Sequence, residues 1–170
     1  MRALKADRSA GRRESAHPRS RPGMQVMLID DDPLDAETVR RVLQGLAGGP
    51  VLETMPTADQ ALVALRGRCA QMPVPVERLP DLNLLDLNLP GMTGQEFLAA
   101  LDSDVRFRST PVVVLTTSGL PQDVRSCFDR GASGYFVKPL EYARFADLLT
   151  RIINYWNVCE TPQRPSLISR

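Results

Sequence analysis

Short apolar runs alternate along this chain with stretches whose apolar residues recur every three or four positions. Gln25-Val26-Met27-Leu28-Ile29 is a compact run that ends at acids, the form of a strand buried on both faces. Asp32 followed by Pro33 then opens a helix, with Leu34, Val39, Val42 and Leu43 as its apolar positions and Gly45, Gly48 and Gly49 as its stop. Asp32 reads as the N-cap of that helix rather than as a metal ligand. Val51 to Met55 predicts a second strand. Thr57-Ala58-Asp59-Gln60 has the spacing of a capping box, and Ala61, Leu62 and Leu65 then face inward. Gly67, Pro73, Pro75 and Pro80 mark residues 67–80 as a long loop.

The alternation continues to the end of the chain. Leu82 to Leu85 is a third strand, ending at Asp86, and Asn88-Leu89-Pro90-Gly91-Met92 is a turn. A second capping box, Thr93-Gly94-Gln95-Glu96, starts a helix through Phe97, Leu98 and Leu101. Val112 to Leu115 is the most strand-like stretch and runs into Thr116-Thr117. Pro121 to Arg130 is a helix closed by Gly131, Tyr135 to Val137 a fifth strand ending at Lys138-Pro139, and Glu141 to about Asn157 a final helix. Five strands alternating with five helices predict an α/β fold, a doubly wound parallel sheet covered on both faces.

Composition narrows the classes. The chain has 170 residues, 43% hydrophobic and 24% charged, as expected of one soluble domain. The single histidine, His17, lies among arginines, which excludes Ser-His-Asp and multi-histidine metal chemistry. Cys69, Cys127 and Cys159 are odd in number with no CxxC spacing, so a reducing, cytoplasmic setting is expected and a disulfide framework is not. Residues 1–23 carry a net charge of +5 and few large apolar side chains, and are expected to be a disordered basic extension: a transit-type leader, or sequence upstream of a translation start at Met24. Residues 24–157 form the expected domain and 158–170 a tail. The body is mildly acidic, so no nucleic-acid partner is expected, and no apolar run is long enough to cross a membrane.

In an open parallel sheet, ligands bind beyond the carboxyl ends of the strands. Those ends here carry Asp30 and Asp31, then Asp86, Thr116 and Lys138. Two carboxylates about 4 Å apart repel by about 4 kcal/mol at an effective dielectric near 20, so protons or a cation must relieve them. Mg²⁺ suits such oxygen donors, because it needs few carboxylates and keeps several waters. A lysine and a hydroxyl opposite the acids point to an anion, and a carboxylate, a metal and a cationic clamp together make a phosphoryl-transfer set. Neither GxxxxGK[ST] nor GxGxxG occurs, so the donor is expected to be another protein's phosphoryl group rather than bound ATP.

Four motifs then stand in order: MLIDDD at 27–32, LLDLNLPGM at 84–92, VVVLTTS at 112–118 and GYFVKP at 134–139. With them, residues 24–156 resemble a receiver domain of the response-regulator family. The resemblance implies a flavodoxin-like sheet in the order 2-1-3-4-5. It implies phosphorylation of Asp86 by a sensor histidine kinase, with Mg²⁺ held by Asp30, Asp31, Asp86 and the backbone carbonyl of Asn88. It further implies Thr116 as the switch hydroxyl, Lys138 as the phosphate-binding lysine and a cis bond before Pro139. Tyr135 is either a packing aromatic or the ring that rotates with Thr116.

The Pro-rich insert at 71–80, the DLNLP and TTS wording and Tyr155-Trp156 look like the single-domain regulators that partner bacterial phytochromes. That likeness implies a homodimer. For a stand-alone receiver the expected readout is a partner, a dimerisation change or onward transfer to a histidine phosphotransfer protein. Thr93 and Thr117 depart from the family's common Asp and its common Ala or Gly. Two other readings use the same residues: a receiver-like binding module that is never phosphorylated, and a Mg²⁺-dependent hydrolase working through an aspartyl phosphate on Asp86.

Overall fold

The computed structural model describes residues 23–70 and 79–159. The basic extension, apart from Gly23, most of the Pro-rich insert and most of the tail lie outside the described residues. In chain order the elements are β1 (Gln25–Ile29), α1 (Pro33–Gln44), β2 (Val51–Met55), α2 (Ala58–Ala70) and β3 (Leu82–Leu85). They are followed by α3 (Gly94–Asp102), β4 (Val112–Thr116), α4 (Pro121–Asp129), β5 (Gly134–Val137) and α5 (Tyr142–Val158). All four strand pairings are parallel and the order is β2-β1-β3-β4-β5, as the resemblance implied.

Because successive strand residues point to opposite faces, the sheet sorts its side chains into two cores. Met27, Ile29, Leu85 and Val114 face α2, α3 and α4, where Leu65, Phe97 and Cys127 meet them. Val26, Leu28, Leu84, Val113 and Leu115 face the other way, against Val39 and Leu43 of α1 and Phe145, Leu149, Ile152 and Ile153 of α5. The inner strands β1, β3 and β4 are buried on both sides almost throughout, which is why they read as continuous apolar runs.

Both helix starts beside the sheet's end are fixed locally. Asp32 caps α1, its Oδ1 accepting from Leu34 N at 2.8 Å, and Pro33 takes the first helical position. Thr93 caps α3 in a complete capping box: Glu96 N donates to Thr93 Oγ1 at 3.3 Å, and Thr93 N donates back to Glu96 Oε2 at 2.8 Å.

At the start of α1 Leu34 is 75% exposed, while Val39 and Leu43 further along are buried. One expectation is corrected. Gly67 does not end α2, which continues to Ala70. The added turn buries Cys69 and lets Arg68 pair with Glu53 of β2 at 2.5 Å, gains that outweigh the roughly 1 kcal/mol a mid-helix glycine costs. A Cβ at Gly67 would meet nothing within 4 Å. Gly67→Ala is therefore expected to stabilise the chain by about 0.5–1 kcal/mol, read as a higher urea midpoint at unchanged slope. A lower midpoint would mean that this turn is held by contacts that need the glycine.

Candidate functional site

Strand register assembles the site. Ile29 pairs with Leu85, so the residues after them, Asp30 and Asp86, emerge side by side, and Asp86 N donates to Ile29 O at 2.9 Å. Thr116 pairs with Val137, and Lys138, one residue further on, donates its backbone N–H to Thr116 O at 2.8 Å. A slip of one residue in either pairing would turn these side chains to the opposite face.

Lys138 is the hub. Its Nζ lies 2.7 Å from Asp30 Oδ2, 2.9 Å from Asp86 Oδ2 and 2.8 Å from Asp35 Oδ2. The lysine side chain is only 6% exposed, and the side chains of Asp30 and Asp86 are 1% and 10% exposed. The other carboxylate oxygens are used as well. Asp30 Oδ1 accepts from Asp32 N at 2.9 Å, and Asp86 Oδ1 accepts from Leu87 N at 2.6 Å and Asn88 N at 3.2 Å.

Burial pushes the Asp30 carboxyl above its ordinary value, while Lys138 and the Asp32 amide pull it down. Burial also works against the charge of Lys138, but hydrogen bonds to Asp30, Asp35 and Asp86 outweigh it and hold the amine above the ordinary lysine value. Lys138 is therefore a cation throughout the neutral range.

The remaining candidates are placed less uniformly. Thr116 is fully buried at the end of β4, with Ser118 N donating to its Oγ1 at 3.4 Å. Tyr135 is half-buried and donates its hydroxyl to Ser118 O at 2.9 Å, so it packs and also touches the connection after Thr116. Asn88 and Thr117 are exposed and linked by Asn88 Nδ2 donating to Thr117 Oγ1 at 3.4 Å. Asp31 is exposed and makes none of the Lys138 contacts.

Asp35 was not among the residues singled out in the sequence. An acid in the first turn of a helix has an ordinary role at the positive end of the helix dipole, and that role gave it no separate signal. The fold adds a second role by setting that turn against the end of β5.

Among the described residues, no group of three or more His, Cys, Asp or Glu side chains is arranged to hold a metal ion. The donor chemistry nevertheless fits a hard divalent cation that keeps most of its waters. Asp30 and Asp86 offer oxygens only, and burial leaves the ionised form of Asp30 in want of positive charge. The same set can clamp a tetrahedral anion, with Lys138 as cation and the amides after Asp86 as neutral donors.

Comparison with known proteins points the same way. The model of the response regulator receiver domain matches residues 26–150. The response regulator Rcp1 of Synechocystis sp. is 29% identical over 144 residues, covering 81% of this chain and 91% of Rcp1. The crystal structure of the phosphorylated cyanobacterial phytochrome response regulator RcpA matches with a TM-score of 0.75 at 28% identity, covering 82% of this chain and 99% of that one. The Mn²⁺-bound form of Rcp1 matches with a TM-score of 0.73 at 27% identity, over 82% and 99% of the two chains. The family match takes in every strand end that builds the Lys138 cluster, and the chain belongs to the response regulator receiver domain family.

Proposed function

We propose that this chain accepts a phosphoryl group on Asp86 from the phosphohistidine of a sensor histidine kinase or a histidine phosphotransfer protein. The observation that carries the reading is the buried Lys138 ammonium, hydrogen-bonded at once to Asp86 and to Asp30 at the carboxyl end of the sheet. An Asp86 oxygen forms the new bond to phosphorus as the bond to the donor's imidazole nitrogen breaks, and the imidazole leaves with the electron pair. Lys138 and the amides of Leu87 and Asn88 offset the charge on the incoming oxygens.

Mg²⁺, held by Asp30, Asp31, Asp86 and the backbone carbonyl of Asn88, supplies further neutralisation of the phosphoryl oxygens when bound. The Mn²⁺-bound form of Rcp1 supports a divalent ion here. Thr116, buried one strand from Asp86, is the switch hydroxyl in this reading, and Tyr135 follows it through the Ser118 carbonyl. A cis bond before Pro139 belongs to the same reading.

A bacteriophytochrome is the favoured kinase, supported by the likeness to the phytochrome response regulator RcpA. A homodimer is supported by α5, whose Tyr155 and Val158 are 60% and 46% exposed although Ile152 and Ile153 fill the core. Among the described residues no helix is long and apolar enough to cross a membrane, and the reading places the chain in the cytoplasm with protein partners.

The test is intact-protein mass after incubation with acetyl phosphate, with and without Mg²⁺, beside Asp86→Asn. One labile phosphoryl adduct is expected on the wild type with Mg²⁺, and none without the metal or on the variant. An adduct that persists on Asp86→Asn would move the acceptor elsewhere. No adduct, combined with no beryllofluoride binding, would favour the unphosphorylated binding module.

A further inference from the structure

An ammonium has three N–H bonds, and three carboxylates lie within 2.9 Å of the Lys138 nitrogen before any phosphoryl group arrives, Asp30 and Asp86 as hydrogen-bond acceptors and Asp35 as an ion pair. Asp30 and Asp86 end neighbouring strands, whereas Asp35 reaches in from the first turn of α1. We propose that Asp35 is a positioning residue that occupies Lys138 in the unmodified chain and gives up this contact to a phosphoryl oxygen when Asp86 is modified. The inference rests on Asp86 being the phosphoacceptor and adds the group with which the phosphoryl competes.

The three partners differ in what releasing them would cost. The Asp30 side chain is 1% exposed, so a freed carboxylate there would have no water to replace the lysine. Asp86 carries the new phosphoryl group and cannot leave. The Asp35 side chain is 23% exposed, so water can solvate it on release, and its place in the first turn of α1 keeps the helix dipole in its favour. Asp35 is the acid that can let go.

Charge points the same way. Around Lys138 stand Asp30, Asp35 and Asp86, so an incoming anion meets one more negative group than the strand ends alone supply. Asp35→Asn keeps the side chain's shape and an oxygen that can accept from Nζ, but removes the charge. The half-saturating beryllofluoride concentration in the presence of Mg²⁺ is expected to fall about tenfold in this variant, the order of effect of one unit charge a few ångströms from an anion at a partly exposed site. The half-saturating concentration of acetyl phosphate should fall with it, while the maximal rate of adduct formation stays within about twofold, because Asp35 does not touch the reacting oxygen.

A second readout needs no phosphoryl chemistry. The Nζ resonance of Lys138, observed by nitrogen NMR in the unmodified chain, should come from an ammonium protected against solvent exchange. That exchange should speed several-fold in Asp35→Ala. A role confined to the helix dipole would move neither the anion half-saturation nor this signal.

If wild type and Asp35→Asn both take beryllofluoride with equal half-saturation, or the variant takes it more weakly, the inference is overturned and the phosphoacceptor reading stands. An unchanged Lys138 signal in Asp35→Ala overturns it as well. If the wild type takes neither beryllofluoride nor a phosphoryl group, the phosphoacceptor reading fails and the inference falls with it.

Discussion

Lys138→Met is expected to destabilise the chain by about 3–5 kcal/mol at pH 7.5, the usual cost of removing one partner from a buried ion pair. The reason is what the substitution leaves behind. Asp30 and Asp86 stay buried at the strand ends with their shared cation gone, while the methionine fills most of the lysine's volume. The loss should depend on pH, and the sign follows from the shifts in the native chain. Lys138 is raised, so its stabilisation is complete below the unfolded lysine value of about 10.4 and is lost only as pH climbs through the higher folded value. Asp30 is raised by burial, so its contribution is complete in acid and fades as pH rises through the raised carboxyl value.

Without Lys138 the second effect stands unopposed, and the variant's deficit should grow as pH rises from the unfolded carboxyl value of about 4. Urea unfolding at a series of pH values measures it. A deficit that is flat over this range would mean that the two carboxylates are well solvated and that the lysine is not their principal counter-charge. The same variant should take up far less phosphoryl group from acetyl phosphate, since the cationic side of the anion clamp is gone.

Gly94→Ala should have an effect of similar size for a steric reason. A Cβ at Gly94 would fall 2.3 Å from the Asp86 carbonyl oxygen and 2.7 Å from Leu87 Cα, and both are backbone. Neither can turn aside as a long side chain would. Gly94 N also donates to Leu87 O at 3.1 Å, so the start of α3 is tied to the strand end it would have to leave. The overlap is expected to cost about 3 kcal/mol, at the upper end for added volume in a packed core.

The displacement would act on Asp86 itself, whose carboxylate is aimed by the amides of Leu87 and Asn88. A shift of about 1 Å there is expected to slow phosphoryl uptake about a hundredfold. The check is the initial rate of adduct formation by intact mass, at a temperature where circular dichroism shows the variant folded. A folded variant with the wild-type rate would mean that α3 moves as a unit and leaves Asp86 in place. Thr93 before Gly94 supports the tight approach, because its capping box fixes where α3 begins.

Most of the architecture was legible because the signals are local. The inner strands are so short and so completely buried that apolar runs of four or five residues mark them, and Asp32-Pro33 and the Thr93 box mark helix starts through bonds to neighbours two and three residues away. Where a local signal met a distant one, the reading failed. Gly67 looks like a stop, but the gain that carries α2 past it comes from Glu53 on β2, fifteen residues before its partner Arg68.

The site divides along the same line. Acid, acid, hydroxyl and amine at successive strand ends can be read from the chain, because in a parallel sheet every strand delivers its last residue to the same edge. Which of them touch cannot be read that way. Register brings Asp30 and Asp86 each to within a hydrogen bond of Lys138 and leaves Asp31 exposed, although Asp31 follows Asp30 directly.

Asp35 was hidden because its partner lies more than a hundred residues away on the far side of the sheet order. The sequence alone determines the elements, the facing of most side chains and the types of group at the strand ends, since these depend on periodicity and short-range bonds. The tertiary structure decides the lysine's third partner, the burial that raises Asp30 and the contact that makes Gly94 irreplaceable. The first two depend on segments far apart in sequence being held at a fixed distance, and the last on the turn that folds α3 back onto the end of β3; packing fixes each distance.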